Sequence, residues 1–417
     1  MSARFPWRRL RHGLAVVVLA VAALTGSGAG GSRAEAILPQ HQPVPDQPAP
    51  VAAAPPAVPE AAAAPVPPPA PVVPAPAAVP APVAPEVVPP AATGAVVSGP
   101  GPRPRPFRIV MVVWRGATRV EDGFRDYLSE NHIPNEIILR NLDRDVTRLP
   151  AVIAEIRALK PDLVYSWGTS TTLGLVGPWN DPQPQSHITD IPVVFTLVSD
   201  PVGAGIVQSL DQPRANVTGT SFLPPLNAQL KAIRSYRPFT RLAVIYSPLE
   251  TNSVLNVKAL RAAGARVGFT LIEKPAPLTA AGAPDAGAVP RLVREAKEAG
   301  AEFLYIGPDS FTAVVGPALT LAAIDNRLPT FASTETPLRE AQAMFGLVSN
   351  YYTLGKFTAY KAEQILLHGV RPGEIPIETL KKFSLLLRIG VANQIKLYPP
   401  VNVVKYAEII DRESPTN

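Results

Sequence analysis

Six short segments of this 417-residue chain concentrate side chains able to hold a small polar molecule. In Trp167-Gly168-Thr169-Ser170-Thr171-Thr172 a glycine that permits close backbone approach precedes four hydroxyls. At a helix start, such a turn can donate backbone and hydroxyl hydrogen bonds to an anion such as a carboxylate. Taken alone, N-capping by Thr or Ser accounts for the same residues. Ser199-Asp200-Pro201, Ser247-Pro248-Leu249-Glu250-Thr251-Asn252, Gly307-Pro308-Asp309-Ser310, Ser333-Thr334-Glu335-Thr336 and Ser349-Asn350-Tyr351-Tyr352 repeat the theme. Each is explicable as a turn or cap, and the informative feature is their recurrence in both halves of the chain. Together with the aromatics Trp114, Trp167, Phe311, Tyr351 and Tyr352, they suit a ligand carrying an ammonium or hydroxyl groups.

Catalytic constellations fare worse. Gly168–Thr172 resembles a nucleophile elbow until Thr172, which stands where a second glycine is needed, and no His is placed for a triad. The five His, at 12, 41, 132, 187 and 368, lack metal-ligand spacing. Arg115-Gly116-Ala117-Thr118 carries neither a dinucleotide fingerprint nor a Walker loop. Asp309 and Glu335 could do acid–base work, as could any acids lining a cleft. A binding protein without cofactor or metal is expected rather than an enzyme.

The elements that must position these loops are legible from residue 107 onward. Strands are expected over Ile109–Trp114, Glu136–Leu139, Asp162–Ser166, Val193–Val198 and Val217–Phe222, with helices over Val120–Asn131 and Leu149–Leu159. After Pro224-Pro225 the rhythm restarts: strands Leu242–Tyr246, Val267–Ile272, Phe303–Ile306, Thr330–Ala332 and Met344–Val348, and helices Asn252–Ala263, Val289–Ala299 and Val314–Asn326. A long helix Tyr352–Leu367 and strand candidates Ile375–Thr379 and Phe383–Arg388 follow. Nearly continuous apolar strands alternating with amphipathic helices are what parallel sheets covered on both faces require. Two such sheets fit two lobes better than one, because a single core stops growing near ~250–300 residues. The six polar segments then follow strands, where open α/β sheets bind ligands.

Composition bounds the remaining possibilities. Of 51 prolines, 24 lie between Pro39 and Pro106 amid Ala and Val, a composition that favours extended polyproline II over a packed core. This segment is a tether in the cell envelope or a solubilising tail. Residues 107–417 carry 32 basic and 29 acidic side chains, too balanced for a nucleic-acid footprint. The absence of Cys excludes disulfides, thiol catalysis and a lipidated Cys anchor. Arg4, Arg8, Arg9 and Arg11, the apolar run Leu14–Leu24 and Ala34-Glu35-Ala36 follow the order of a cleavable secretory signal. That run is short of the ~20 residues that span a bilayer.

Residues 191–221, IPVVFTLVSDPVGAGIVQSLDQPRANVTGTS, carry a specific resemblance. Val244-Ile245-Tyr246-Ser247-Pro248 with Asn252-Ser253, Phe331-Ala332-Ser333, Tyr351-Tyr352-Thr353-Leu354-Gly355-Lys356, Gly369–Ile377 and Ala392-Asn393 extend it over about residues 107–400. The chain resembles the ABC transporter substrate-binding protein family that includes tryptophan- and tyrosine-type binding proteins. The resemblance implies an α/β type I periplasmic-binding-protein architecture: two Rossmann-like lobes with parallel sheets, three crossings and hinge closure. Applied here, it divides the folded part into lobe 1 (107–222 plus 349–380) and lobe 2 (223–348 plus 381–412); the signal peptide (1–36) and the disordered Pro/Ala-rich spacer (37–106), read from composition and residue order, lie outside the resemblance. It implies ligand contacts from Thr169, Ser170, Asp200, Asn252, Asp309, Glu335 and Asn350, to which the strand-end rule adds Trp114. Two departures stand out: Thr169-Ser170-Thr171 replaces the family's frequent Thr-Pro-Ala, and Asn350 replaces an Asp before the Tyr pair. The implied role is an exported, monomeric periplasmic protein that delivers an amino acid or related acid to ABC permease subunits in the inner membrane. The alternative is an envelope structural or sensory protein reusing the fold and tethered through the spacer.

Overall fold

The computed structural model describes residues 105–411; the signal-like segment and the Pro-rich stretch through residue 104 lie outside the described residues. Strands β1 (Phe107–Val113), β2 (Asn135–Asn141), β3 (Leu163–Trp167), β4 (Val193–Val198) and β5 (Val217–Ser221) form an all-parallel sheet in the order β2-β1-β3-β4-β5. Helices α1 (Arg119–Glu130), α2 (Leu149–Leu159) and α3 (Thr169–Val176) connect its first four strands. The apolar runs are continuous because both faces are covered. Along β1, Ile109, Met111 and Val113 pack with Phe124 and Leu128 of α1, while Val110 and Val112 pack with Leu149, Ile153 and Ile156 of α2.

The second lobe contains β6 (Arg241–Tyr246), β7 (Thr270–Pro275), β8 (Phe303–Ile306), β9 (Thr330–Ala332), β10 (Phe345–Val348), β11 (Ser384–Leu387) and β12 (Glu408–Ile409). They are ordered β12-β11-β10-β9-β8-β6-β7. Its helices are α4 (Leu226–Tyr236), α5 (Thr251–Val267), α6 (Val289–Glu298), α7 (Ser310–Val314), α8 (Gly316–Asp325) and α9 (Thr336–Arg339). On β8, Phe303 and Tyr305 enter one core cluster and Leu304 and Ile306 the other, the same two-faced burial.

After β10 the chain leaves this sheet as α10 (Tyr351–Leu366), whose Ala359, Ala362, Ile365 and Leu366 join the core of the first lobe. It then returns through residues 375–380 to β11, and ends with α11 (Ile389–Gln394), α12 (Val401–Val404) and β12. Buried Lys361 braces the return: its Nζ donates to Pro376 O at 2.6 Å and to Glu378 Oε2 at 2.9 Å.

Four local expectations are corrected. The helix expected over Val314–Asn326 is α8 and starts two residues later, because Val314 still belongs to α7, which Asp309 caps, and Pro317, which lacks an N–H, starts α8 afresh. Val267 ends α5 rather than opening a strand; Gly268, at φ 77°, terminates the helix and β7 begins at Thr270. Residues 375–379 make only a single bridge, Thr220 with Glu378. The second sheet is not wholly parallel: Val348, ending β10, pairs with Ser384, opening β11, so the chain re-enters antiparallel.

α10 meets α1 through glycines at which only hydrogen fits. A Cβ on Gly355 would lie 1.9 Å from Val120 O, and one on Gly123 would lie 2.0 Å from Tyr352 O. In an exposed helix, Gly→Ala gains up to ~1 kcal/mol, but here backbone must move and overpacking costs about 1–3 kcal/mol. Gly355→Ala is therefore expected to lower the midpoint of urea unfolding; an unchanged or higher midpoint would contradict this packing.

Candidate functional site

In the first sheet the strand order reverses between β1 and β3, and in the second between β6 and β8. The loops leaving those four strands meet around one cavity, as the crevice rule for open α/β sheets requires. Trp114 follows β1; Trp167 to Thr171 end β3 and open α3; Asn252 follows β6; and Pro308, Asp309 and Ser310 follow β8. The cavity holds about 70 Å³ of space reachable by water. At ~10–15 Å³ per water-sized group, that is room for roughly five such groups.

The first-lobe wall is aromatic and electropositive in its backbone. Trp114 and Trp167 are stacked, with ring centroids 6.2 Å apart and planes at 11°. Gly168 sits at φ 81°, a conformation that favours glycine, and no side chain caps α3. The first amides of α3 therefore lack both intrahelical and side-chain partners, at the positive end of a helix dipole. Thr172 serves structure, its Oγ1 donating to Gly168 O at 2.7 Å. Trp167 Nε1 and the Ser199 hydroxyl, both on cavity-lining residues, are buried without a hydrogen-bond partner.

The second-lobe wall contributes Asp309, with Glu250 behind the cavity lining. Asp309 accepts from Ser247 N at 2.7 Å, Ser253 Oγ at 2.6 Å and Thr312 N at 2.8 Å. Glu250 accepts from Ser310 N and Phe311 N, both at 3.0 Å. The N-terminus of α7 is thus saturated by the protein's own carboxylates, unlike that of α3. Among the described residues neither acid has a basic partner within ion-pair distance. Burial pushes both carboxyls above their ordinary range, and the neighbouring Asp309 charge pushes Glu250 up further. Asn252 Nδ2 donates to Pro308 O at 2.6 Å, tying the two second-lobe loops together.

Of the eight residues singled out in the sequence, Trp114, Thr169, Ser170, Asn252 and Asp309 line this cavity; Asp200, Glu335 and Asn350 do not. Asp200 is exposed and closes its own turn by accepting from Gly203 N at 2.8 Å. Asn350 caps α10, accepting from Thr353 N at 2.9 Å. Glu335, 2% exposed, braces the joint between the lobes: it accepts from Tyr351 N at 2.7 Å and pairs with Arg339. Arg115, Leu197 and Phe222, which the sequence did not single out, also line the cavity, as does Thr336 of the polar segment Ser333–Thr336. Arg115 directly follows Trp114 at a strand end, a signal that was available. Leu197 gave none, since it sits at φ 54° within a break in β4–β5 register.

Two Rossmann-like lobes meeting at both switch points around a polar cavity define a two-lobe ligand-binding protein of the type I periplasmic-binding architecture. Residues 109–410 match the family model of the ABC transporter substrate binding protein, and the chain belongs to that family. It is similar to the Tyrosine-binding protein of Clostridioides difficile (strain R20291), with 26% identity over 257 residues, 60% of this chain and 68% of that protein. In fold it is similar to a conserved domain protein from Vibrio cholerae O1 biovar El Tor (TM-score 0.64, 24% identity, 73% of this chain and 99% of the other). It is also similar to an ABC domain from Streptococcus pneumonia solved with L-Trp (TM-score 0.63, 21% identity, 73% and 99%). No helix among the described residues is long and apolar enough to cross a membrane.

The acid pair sets a pH dependence whose sign follows from its burial. A carboxyl raised in the folded state holds its proton more tightly than in the unfolded chain, so stability from it grows as pH falls from above the raised value toward ~4. Relative to the double variant Glu250→Gln/Asp309→Asn, the unmodified protein should gain melting temperature between pH 8 and pH 5. A difference that stayed flat or reversed would contradict the burial of two uncompensated acids.

Proposed function

We propose that this protein captures a zwitterionic α-amino acid between its lobes and presents it to an ABC permease outside the cytoplasm. The observation that carries the reading is the opposite polarity of the two walls: uncapped α3 amides on one side, and on the other the buried Asp309, which has no cation partner among the described residues. A carboxylate at Thr169–Thr171 and an ammonium at Asp309 would each compensate a wall that the protein leaves uncompensated. One ligand touching both walls stabilises closure, because only the closed form gives it both sets of contacts.

An aromatic side chain is supported by the Trp114–Trp167 pair, by Phe222 and Tyr351 in the cavity wall, and by the ligands named for the relatives. The small free volume supports a second reading, a short side chain such as that of glycine or alanine. A large ring enters only if the lobes part or the two indoles separate. Export, periplasmic residence and use of the Pro-rich segment as a spacer are supported by the charged, apolar and small-residue order of residues 1–36. Binding rather than catalysis is supported by a cavity of polar clamps and aromatic walls whose described lining includes no His, Cys or Lys.

Calorimetric titration decides between these readings. L-Tryptophan and L-tyrosine should bind, and removing either the carboxylate (tryptamine) or the ammonium (indole-3-propionate) should weaken binding about 10- to 100-fold, the worth of a charged hydrogen bond. Asp309→Asn should weaken the amino acid and leave indole-3-propionate unchanged. Equal affinity for all three indoles would overturn the proposal; tighter binding of glycine or alanine would establish the second reading.

A further inference from the structure

Arg115 leaves the end of β1 in the first lobe and its guanidinium reaches the second. Nη1 donates to Glu340 Oε2 at 2.7 Å, and Nη2 donates to Glu340 Oε1 at 3.0 Å and to Thr336 Oγ1 at 3.1 Å. Two parallel charge-assisted bonds of this kind are the strongest geometry an ion pair offers. The Arg115 side chain is 13% exposed, which limits screening, whereas Glu340 is 55% exposed and open to salt. Nearby, Arg119 of the first lobe stands 4.0 Å from Glu335 of the second. Glu340 does not line the ligand cavity; it borders a separate space of about 370 Å³ on the other side of Arg115 and Thr336.

We propose that the Arg115–Glu340 pair is a latch that holds the lobes together without ligand and thereby sets how much of the free protein is ready to bind. Separating the lobes breaks both bonds at once and returns each charge to water. The apparent dissociation constant of a ligand that needs the closed form is its intrinsic value divided by the closed fraction, so Glu340 tunes affinity from outside the cavity. The inference rests on closure of two lobes and not on which ligand they hold.

The chain has no Cys, so Ala154→Cys on α2 and Ala262→Cys on α5, both exposed, can carry a dye pair across the lobes of the full-length protein. Single-molecule energy transfer on ligand-free protein then reads the closed-to-open ratio. Glu340→Gln should shift that ratio about two- to fivefold toward open, the range for a partly exposed ion pair. Glu340→Lys, facing Arg115 with like charge, should shift it further. Raising salt from about 0.01 M to about 1 M shortens the Debye length from ~30 Å to ~3 Å; it should open the unmodified protein more than Glu340→Gln, in which only the longer Arg119–Glu335 pair still bridges the lobes. One ratio shared by all three proteins at both salts would overturn the latch. Because no ligand is added, that outcome is separate from failure of the amino-acid reading.

Discussion

Buried Asp309 and half-buried Glu250, two neighbouring acids with no cation partner among the described residues, are the constraint around which this molecule is arranged. Asp309 and Glu250 are held by backbone amides of α7, by Ser247 N–H and by the Ser253 hydroxyl, all of them dipoles and none a full charge. Keeping charged acids in such a place costs free energy, visible in the upward push on both carboxyls. Across the cavity, α3 starts on Gly168 with no side-chain cap. The protein therefore keeps one pole of each sign unpaired on opposite lobes. In the proposed binding mode, a molecule carrying both charges close together would offset both costs in one step, linking recognition to closure.

The rest of the fold can be understood as what keeps the two poles in register while letting them part. Each sheet delivers its pole from a switch point, so the position of the loops is fixed by strand order rather than by the loops themselves. The joint between lobes is rigidified where it meets the first lobe, by the close glycine contact of α10 with α1 and by Lys361 on Pro376 and Glu378. Glu335 ties the start of α10 to the second lobe through Tyr351 N. These contacts involve the segments that cross between the lobes, whereas Arg115 and Glu340 join the lobes directly, side chain to side chain.

Much of this was legible in the chain because parallel strands covered on both faces announce themselves as unbroken apolar runs. β4, β8, β9 and α2 lie where the pattern puts them, and reading the residues after each strand found Trp114, Thr169, Ser170, Asn252 and Asp309. Asp200, Glu335 and Asn350 follow strands too but lie outside the cavity lining, where they serve as a turn, a brace and a helix cap, roles that use the same side chains as a binding site does. What could not be read was non-local. Arg115 meets Glu340 across 225 positions, Glu335 meets the α10 backbone through a turn in the chain, and Leu197 faces the cavity because of a register break. The antiparallel return of β11 likewise depends on where the chain re-enters, which no local pattern encodes.

A crystal structure of the protein with a bound amino acid tests the central claim most directly. The ligand should lie between the lobes with its ammonium within hydrogen-bond distance of the Asp309 carboxylate and its carboxylate on the amides of Thr169 to Thr171. A ligand bound in the reverse sense, or held by one lobe with the acid pair untouched, would contradict it.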